Sequence, residues 1–193
     1  MLEAGVKRLR TARLHLLPAH PAWATATAAF FARNAAHLAP WEPRRPGLAD
    51  VARQVEWLSQ AAASAAEGSA WRWLLSRDGF EVLGSVSVSQ VVRGFHHSAA
   101  LGYALDAGQQ GQGLMHEALQ AIVAEVFDPA GHNLHRLQAA YRPENVRSAR
   151  VLQRLGFRSI GLARDYLCID GAWRDHVLCE RVNLAFREDA TLR

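Results

Sequence analysis

A mixed α/β sheet in one domain is what this sequence predicts, and three observations predict it. The chain has 193 residues, 50% of them hydrophobic and 21% charged, which suits one core-bearing domain and argues against disorder. Its first third has helical composition and spacing, whereas the hydrophobic period changes toward two after Gly68. Strand-like and helix-like segments then alternate and the chain closes on a hairpin, an order that builds a sheet with helices packed on it.

Leu14, Leu16 and Leu17 suggest a short first strand ended by Pro18. From Pro21 to about Leu38 the composition is helical, with Trp23, Phe30 and Phe31 as core contacts. Pro40-Trp-Glu-Pro43 then breaks the pattern, because prolines remove donors and push the residues before them toward extended geometry. Asp50 can cap a second helix in which Val51, Val55 and Leu58 recur at three- and four-residue spacing, and the alanine-rich stretch Ala61 to Glu67 stops at Gly68. Trp71 to Arg77 and Phe80 to Val92 read as two strands joined by a tight Asp78-Gly79 hairpin turn, with Val82, Gly84, Val86 and Val88 alternating. Ala100 to Leu105 is the next strand. It leads through Gly108-Gln-Gln-Gly-Gln-Gly113 into a helix from Leu114 to about Phe127, with Leu114, Ala118, Ile122 and Val126 along one side. Leu134 to Tyr141 is a further strand and Pro143 to Leu155 a further helix, ended by Gly156. Phe157 to Asn183 reads as a hairpin turning at Asp170-Gly171.

Several function classes are excluded as defaults. No apolar run approaches the roughly 18 to 20 residues that span a bilayer, and Met1-Leu-Glu-Ala-Gly-Val-Lys-Arg8 has no apolar stretch of the kind a secretory signal needs. Cys168 and Cys179 match no metal signature and build no disulfide framework, so they read as small core residues in a reducing compartment. His96-His97 has no third ligand at metal spacing and reads as loop; no metal is expected. The net charge of +4 rests on arginine, since Lys7 is the one lysine. A basic balance suits phosphate-bearing partners without choosing among nucleic acid, a nucleotide cofactor and the ribosome surface.

Two segments carry chemistry. In the first, a strand runs into Gln110-Gly-Gln-Gly-Leu-Met115 and a helix. A helix start exposes unpaired N–H groups and a positive dipole end, and Gly111 and Gly113 allow an anion to approach the backbone closely. The loop lacks the Gly-Lys-Ser/Thr of a nucleoside-triphosphate loop and the glycine spacing of a dinucleotide fingerprint. In the second, Arg142-Pro-Glu-Asn-Val-Arg-Ser148 opens a helix. Asn145 and Ser148, three apart, can both project from its first turn toward the neighbouring strand, or can simply be a cap and a solvated residue.

Together these segments resemble the Gcn5-related N-acetyltransferase (GNAT) superfamily, and more closely its RimJ/RimL-like ribosomal-protein-alanine branch. The resemblance is carried by Asn34, His37, Pro40-Trp-Glu-Pro43, Val91-Val-Arg-Gly94, Leu101-Gly-Tyr103 and Gln110-Gly-Gln-Gly-Leu-Met115 with Glu117-Ala-Leu119. It continues through His135-Arg136, Tyr141, Asn145, Ser148, Leu155-Gly-Phe157, Asp165-Tyr-Leu167 and Ile169-Asp-Gly-Ala-Trp-Arg-Asp-His-Val-Leu178, and spans about Arg8 to Val182. It implies a single domain, with a mostly antiparallel, twisted sheet whose splayed strands admit acetyl-CoA as co-substrate. The cofactor pyrophosphate would be held by backbone N–H groups of Gln110, Gly111, Gln112, Gly113, Leu114 and Met115, with His116 close by. The pantetheine arm would pair like an extra strand with Ala104 and Leu105, and Asn145 would hydrogen-bond it. Arg147 or Arg150 would meet the phosphates. Met115 departs from the usual glycine or alanine, at a place where backbone makes the contacts.

The implied reaction is direct attack of a neutral amine on the thioester, with a backbone N–H near Leu105 stabilising the oxyanion. Ser148 would protonate the leaving thiolate, or only hydrogen-bond the cofactor. The glutamate many relatives carry just before Gly-Tyr is absent from Ser98-Ala-Ala-Leu101, so the base falls to Asp165, with Glu42, Glu117 or a water chain as the other routes. Trp41, Glu42, Tyr103, Trp173 and Arg174 would wall the acceptor, and Glu42 or Asp175 would meet its ammonium. The branch implies a cytoplasmic enzyme acting on the N-terminal alanine of a small-subunit ribosomal protein, with ribosome association compatible with it and no DNA binding expected. A small-molecule amine acceptor, and a ribosome-assembly or RNA-binding factor with lost or secondary catalysis, are the other readings.

Overall fold

The computed structural model describes residues 6–187; the first five residues, part of the segment read above as lacking an apolar leader, lie outside the described residues. The elements in order are β1 (Leu9–Arg10), β2 (His15–Pro18), α1 (Ala24–Leu38), α2 (Val51–Glu67), β3 (Trp71–Ser76), β4 (Gly84–Val92), β5 (Ser98–Leu105), α3 (Leu114–Phe127), β6 (Arg136–Tyr141), α4 (Val146–Arg154), β7 (Arg158–Ile169) and β8 (Ala172–Val182). The strands form one sheet in the order β1-β2-β3-β4-β5-β6-β8-β7. Every neighbouring pair is antiparallel except β5 and β6, which the crossover helix α3 makes parallel. Among the described residues no helix is long and apolar enough to cross a membrane.

Period-two patterning divides the core between the sheet's faces. Trp71, Trp73, Leu75, Val86 and Val88 pack with the Leu114, Ala118, Ile122 and Val126 side of α3 and with Leu152 of α4. Leu74 and Leu17 point the other way, onto Phe30 and Leu38 of α1 and Leu58 of α2. Helix α2 is capped as its sequence predicts, Asp50 accepting from the Arg53 amide and Gly68 adopting φ 72°. Its buried stripe differs: Val51 and Val55 are exposed, and Gln54, Leu58 and Ala65 face inward, Gln54 donating to the Leu48 carbonyl (2.7 Å). That bond lets an amide occupy a core position that the valines would otherwise compete for.

The two Asp-Gly signals have different outcomes. Asp170-Gly171 makes the expected two-residue turn, both residues at positive φ (52° and 76°). Asp78-Gly79 does not: β3 ends at Ser76 and β4 begins at Gly84, with Leu75 opposite Gly84. The Asp78 carboxylate accepts from the Phe80 and Glu81 amides and the Ser76 hydroxyl, while Val82 and Leu83 are buried. Satisfying the carboxylate and burying those two side chains needs a longer loop than the dipeptide suggests. The two-residue strand β1, paired to β2, carries no sequence signal of its own.

His132, after α3, lies stacked on Trp71 with ring centroids 3.7 Å apart. Burial, with the positive charges of Arg93 and Lys7 adding to it, pushes this imidazole down to about 4. An unfolded histidine titrates near 6.5, so unfolding takes up a proton between these values. Stability is therefore full above about pH 6.5 and falls as pH drops toward 4. Thermal melts across this range are expected to show a slope for the native chain that His132→Gln lacks.

Candidate active site

The cleft originates in one interrupted ladder. β5 and β6 pair only over Ser98–Ala100 with Arg136–Gln138, so Leu101–Leu105 and Ala139–Tyr141 diverge beyond it. The Asp106 amide donates to the Leu83 carbonyl (2.8 Å). That bond sets the phase of the antiparallel β4–β5 ladder: Ala104 turns its backbone groups to Ser85, whereas Tyr103 and Leu105 turn theirs into the gap. The resulting cleft of about 650 Å³ is lined by Leu101, Tyr103, Ala104 and Leu105 on one side and by Ala140 and Tyr141 on the other. Leu105 and Tyr103 thus offer main-chain bonds to a strand-like ligand, while Ala104 contributes only its side chain.

At one end stands the glycine loop. Gly111 and Gly113 both sit at φ 76°, the left-handed region that favours glycine, and Gly113 is the N-cap of α3. A Cβ on Gly111 would meet nothing within 4 Å, so the loop borders open space. The first helical bond here runs from Glu117 N to the Gly113 carbonyl, leaving the preceding amides of α3 without acceptors inside the helix. The loop is held from outside the cleft. Asp106 accepts from Arg33 Nε (2.6 Å), Asn34 Nδ2 (2.9 Å) and the Gly108 amide (2.9 Å), and Asn34 Oδ1 accepts from the Ala107 amide. Burial acts to raise the Asp106 carboxyl, but these donors outweigh it and hold it below the usual range. On the far side, Arg13 bridges the Gln112 carbonyl (2.9 Å) and Glu117 (2.6 Å). Gln112 is therefore turned outward, its side chain engaged by Arg77, and it does not line the cleft as expected. Glu117 is likewise a clamp: burial acts to raise its carboxyl, and Thr11 and Arg13 more than offset that.

Gln110, Leu114, Met115 and His116 do line the cleft, and Gln110 is fixed by a 2.9 Å bond to His37 Nε2. Opposite them α4 starts with Asn145, whose Oδ1 caps the Ser148 amide (3.1 Å) and whose Nδ2 makes no bond among the described residues. Asn145 is therefore a cap with a spare donor, whereas Ser148 is not the solvated residue that the capping reading expected. Ser148 Oγ lies 2.7 Å from Tyr103 Oη, which also reaches the Ser148 carbonyl (3.3 Å). Burial drives the Tyr103 phenol well above its usual range, partly countered by Ser148, so it stays protonated at neutral pH. Tyr103 thus partners Ser148 rather than standing only as acceptor wall. Arg147, Arg150 and Arg154 follow along the cleft edge of α4, at spacings that keep them on one helix face.

At the other end the loop after α1 brings in Trp41 and Glu42 as expected. Arg142 fixes this wall, donating to the Pro40 carbonyl (2.7 Å) with its guanidinium 5.6 Å from the Trp41 ring. Burial raises the Glu42 carboxyl, against the pull of Arg45 and Arg72. The hairpin β7–β8 supplies Leu167 and His176 to this end, and Arg44 pairs with Asp170 at its tip. Three expectations fail here. Asp165 is exposed outside the cleft, at φ 47° in an irregular stretch of β7 where its amide donates to Asp175 Oδ1 (3.0 Å). Trp173 and Arg174 lie nearer the hairpin tip, also outside the cleft, Trp173 at 63% exposure. The bulge turns Asp165 away, and alternation puts Trp173 on the opposite face from His176, effects that the sequence motif does not reveal; Arg174 shares the His176 face but sits two residues nearer the tip. His176, two residues beyond Arg174 on the same strand face, is the residue of this motif that reaches the cleft, and the Trp-Arg-Asp-His motif contained it without marking its place along the strand.

A family profile described as an acetyltransferase (GNAT) domain matches residues 13–158. The chain belongs to the GNAT acetyltransferases. A [Ribosomal protein uS5]-alanine N-acetyltransferase of Escherichia coli K12 is 40% identical to this GNAT chain over 175 residues, 89% of this chain and 88% of that one. The solved ribosomal-protein-S5-alanine acetyltransferase of Vibrio fischeri superposes with a TM-score of 0.90 at 32% identity, covering 95% of this chain and all of that one. Mycobacterium smegmatis RimJ, solved with a CoA disulfide, superposes at 0.83 with 31% identity, over 97% and 87% of the two chains. The GNAT fold predicted from the sequence, a mostly antiparallel sheet with splayed strands and flanking helices, is the fold observed.

Proposed function

We propose that this protein transfers the acetyl group of acetyl-CoA to the N-terminal α-amine of an alanine-initiated protein, a small-subunit ribosomal protein, in the cytoplasm. The observation that carries the reading is the make-up of one continuous cleft: a glycine loop with free helix amides, unpaired strand backbone, and a half-buried carboxylate beside an aromatic. The relative of 40% identity, named for acting on the alanine of uS5, supports the choice of acceptor.

In this reading the amides around Gly111, Gly113, Leu114 and Met115, with Arg147 and Arg150, hold the donor's phosphates. The backbone of Tyr103 and Leu105 pairs with the pantetheine amides, and Asn145 Nδ2 adds a donor. The amine nitrogen attacks the thioester carbonyl, an unpaired N–H near Leu105 receives the developing oxyanion, and Ser148 delivers a proton to the departing sulfur. Glu42 faces the incoming ammonium and Trp41 packs beside it. Glu42→Gln is accordingly expected to raise KM for an alanine-initiated peptide about tenfold with kcat little changed, the effect of losing about 1.4 kcal/mol of charge-assisted binding. An unchanged KM in steady-state kinetics removes Glu42 from the acceptor site.

The decisive assay mixes the protein with acetyl-CoA and either a peptide beginning with alanine or a panel of small amines, and follows acceptor mass and free thiol. Acetylation at the peptide's α-amine supports the proposal. Acetylation of a small amine alone overturns the acceptor. Donor binding without transfer to any amine overturns the catalytic reading and favours an assembly factor.

A further inference from the structure

We propose that His176 is the base that takes the proton from the acceptor amine. The inference rests on the acetyltransferase reading above and names the group which that reading leaves open. His176 is only 3% exposed, yet it lines the cleft. Its Nδ1 lies 2.9 Å from the Arg174 carbonyl oxygen. A carbonyl can only accept, so Nδ1 carries the hydrogen and the neutral ring keeps its lone pair on Nε2. That nitrogen makes no bond among the described residues. A fixed tautomer with a free basic nitrogen in a substrate cleft is what a general base requires.

Two of the other proton acceptors along the cleft already have partners. His37 is bonded to Gln110, and Glu144 pairs with Arg142 (3.4 Å). His116 lies in the first turn of α3, beside the glycine loop. Glu42 stands beside Arg45 and Arg72 as a counter-charge. The titratable group placed against the His176 ring is Tyr166 on β7, with ring centroids 5.5 Å apart, and Tyr141, Arg142 and Glu42 line the same cleft.

The step balances as follows. Nε2 takes one proton from the bound ammonium and passes it to solvent. The amine nitrogen then forms the C–N bond and the thioester C–S bond breaks. Sulfur takes the Ser148 hydroxyl proton, and the nitrogen's remaining excess proton goes to Nε2. That proton returns through water to Ser148, so one proton is released per turnover.

The test compares the wild type with His176→Asn and His176→Gly over pH 6 to 9. Asparagine keeps an N–H for the Arg174 carbonyl but supplies no base; glycine leaves room for added imidazole. At pH 7 kcat is expected to fall about 10²- to 10³-fold in both, with the dissociation constant for acetyl-CoA unchanged. The deficit shrinks to about tenfold or less by pH 9, because an α-amine titrating near 7.7 to 8 is then already neutral. Imidazole restores activity to His176→Gly. A deficit of the same size at every pH, with no rescue, overturns the proposal and makes His176 a packing residue. If the glycine variant fails to fold, the pH dependence of His176→Asn decides alone. The assay runs on whichever amine the wild type acetylates, so a wrong acceptor and a wrong base are told apart.

Discussion

Ser148→Ala is expected to lower kcat by about 10²- to 10³-fold while acetyl-CoA affinity changes less than about threefold, the signature of a group that acts as the sulfur departs. The geometry makes this a clean substitution. Helix α4 is capped through the Ser148 backbone amide and Asn145 Oδ1, so losing the hydroxyl leaves the cap intact. Tyr103, deprived of Oγ, still reaches the Ser148 carbonyl and is not left unsatisfied. Tyr103 can donate to Oγ and so free the serine's own hydrogen for the cleft. Tyr103→Phe is then expected to give a smaller fall in kcat, and the double variant less than the sum of the two. Stopped-flow chemistry alongside equilibrium donor binding checks the pair; equal loss of rate and affinity in Ser148→Ala makes the serine a binding residue only.

Gly113→Val is expected to weaken acetyl-CoA binding at least about tenfold while the melting transition stays cooperative. The φ of 76° is the reason, since a β-branched residue there carries strain of about 1 to 3 kcal/mol. A Cβ at that position would find only Arg13 Nη2, 3.6 Å away, so crowding inside the protein is not the cause. The strain is relieved by rotating the peptide, which swings the α3 amides off the anion. Calorimetric titration measures the affinity, and an unchanged value takes this loop out of the donor site.

How much of this was legible in the sequence depended on how local each feature is. Helix α3 was readable to its ends, because Leu114, Ala118, Ile122 and Val126 repeat on one face and glycine precedes them. The donor half of the cleft was legible for the same reason: two short stretches around Gly111 and Ser148 hold nearly all of it. The acceptor half joins Trp41, Tyr141, Leu167 and His176, which only the folded sheet makes neighbours. Asp165 shows the limit most plainly, for the bulge that turns it outward is a property of the β7–β8 pairing and not of its own segment. The two Asp-Gly pairs teach the same lesson: the burial of Val82 and Leu83 overrides the local turn preference.

The three-residue contact between β5 and β6 carries a consequence for evolvability. Had the two strands continued side by side to Leu105 and Tyr141, each added main-chain bond would contribute on the order of 1 kcal/mol to stability. The chain forgoes that gain, and in the proposed function the unpaired groups are the ones that hold the donor. Substitutions that zip this seam would give a tougher, inert protein, so selection for robustness alone runs against activity here, whereas the outer strands are free to be strengthened.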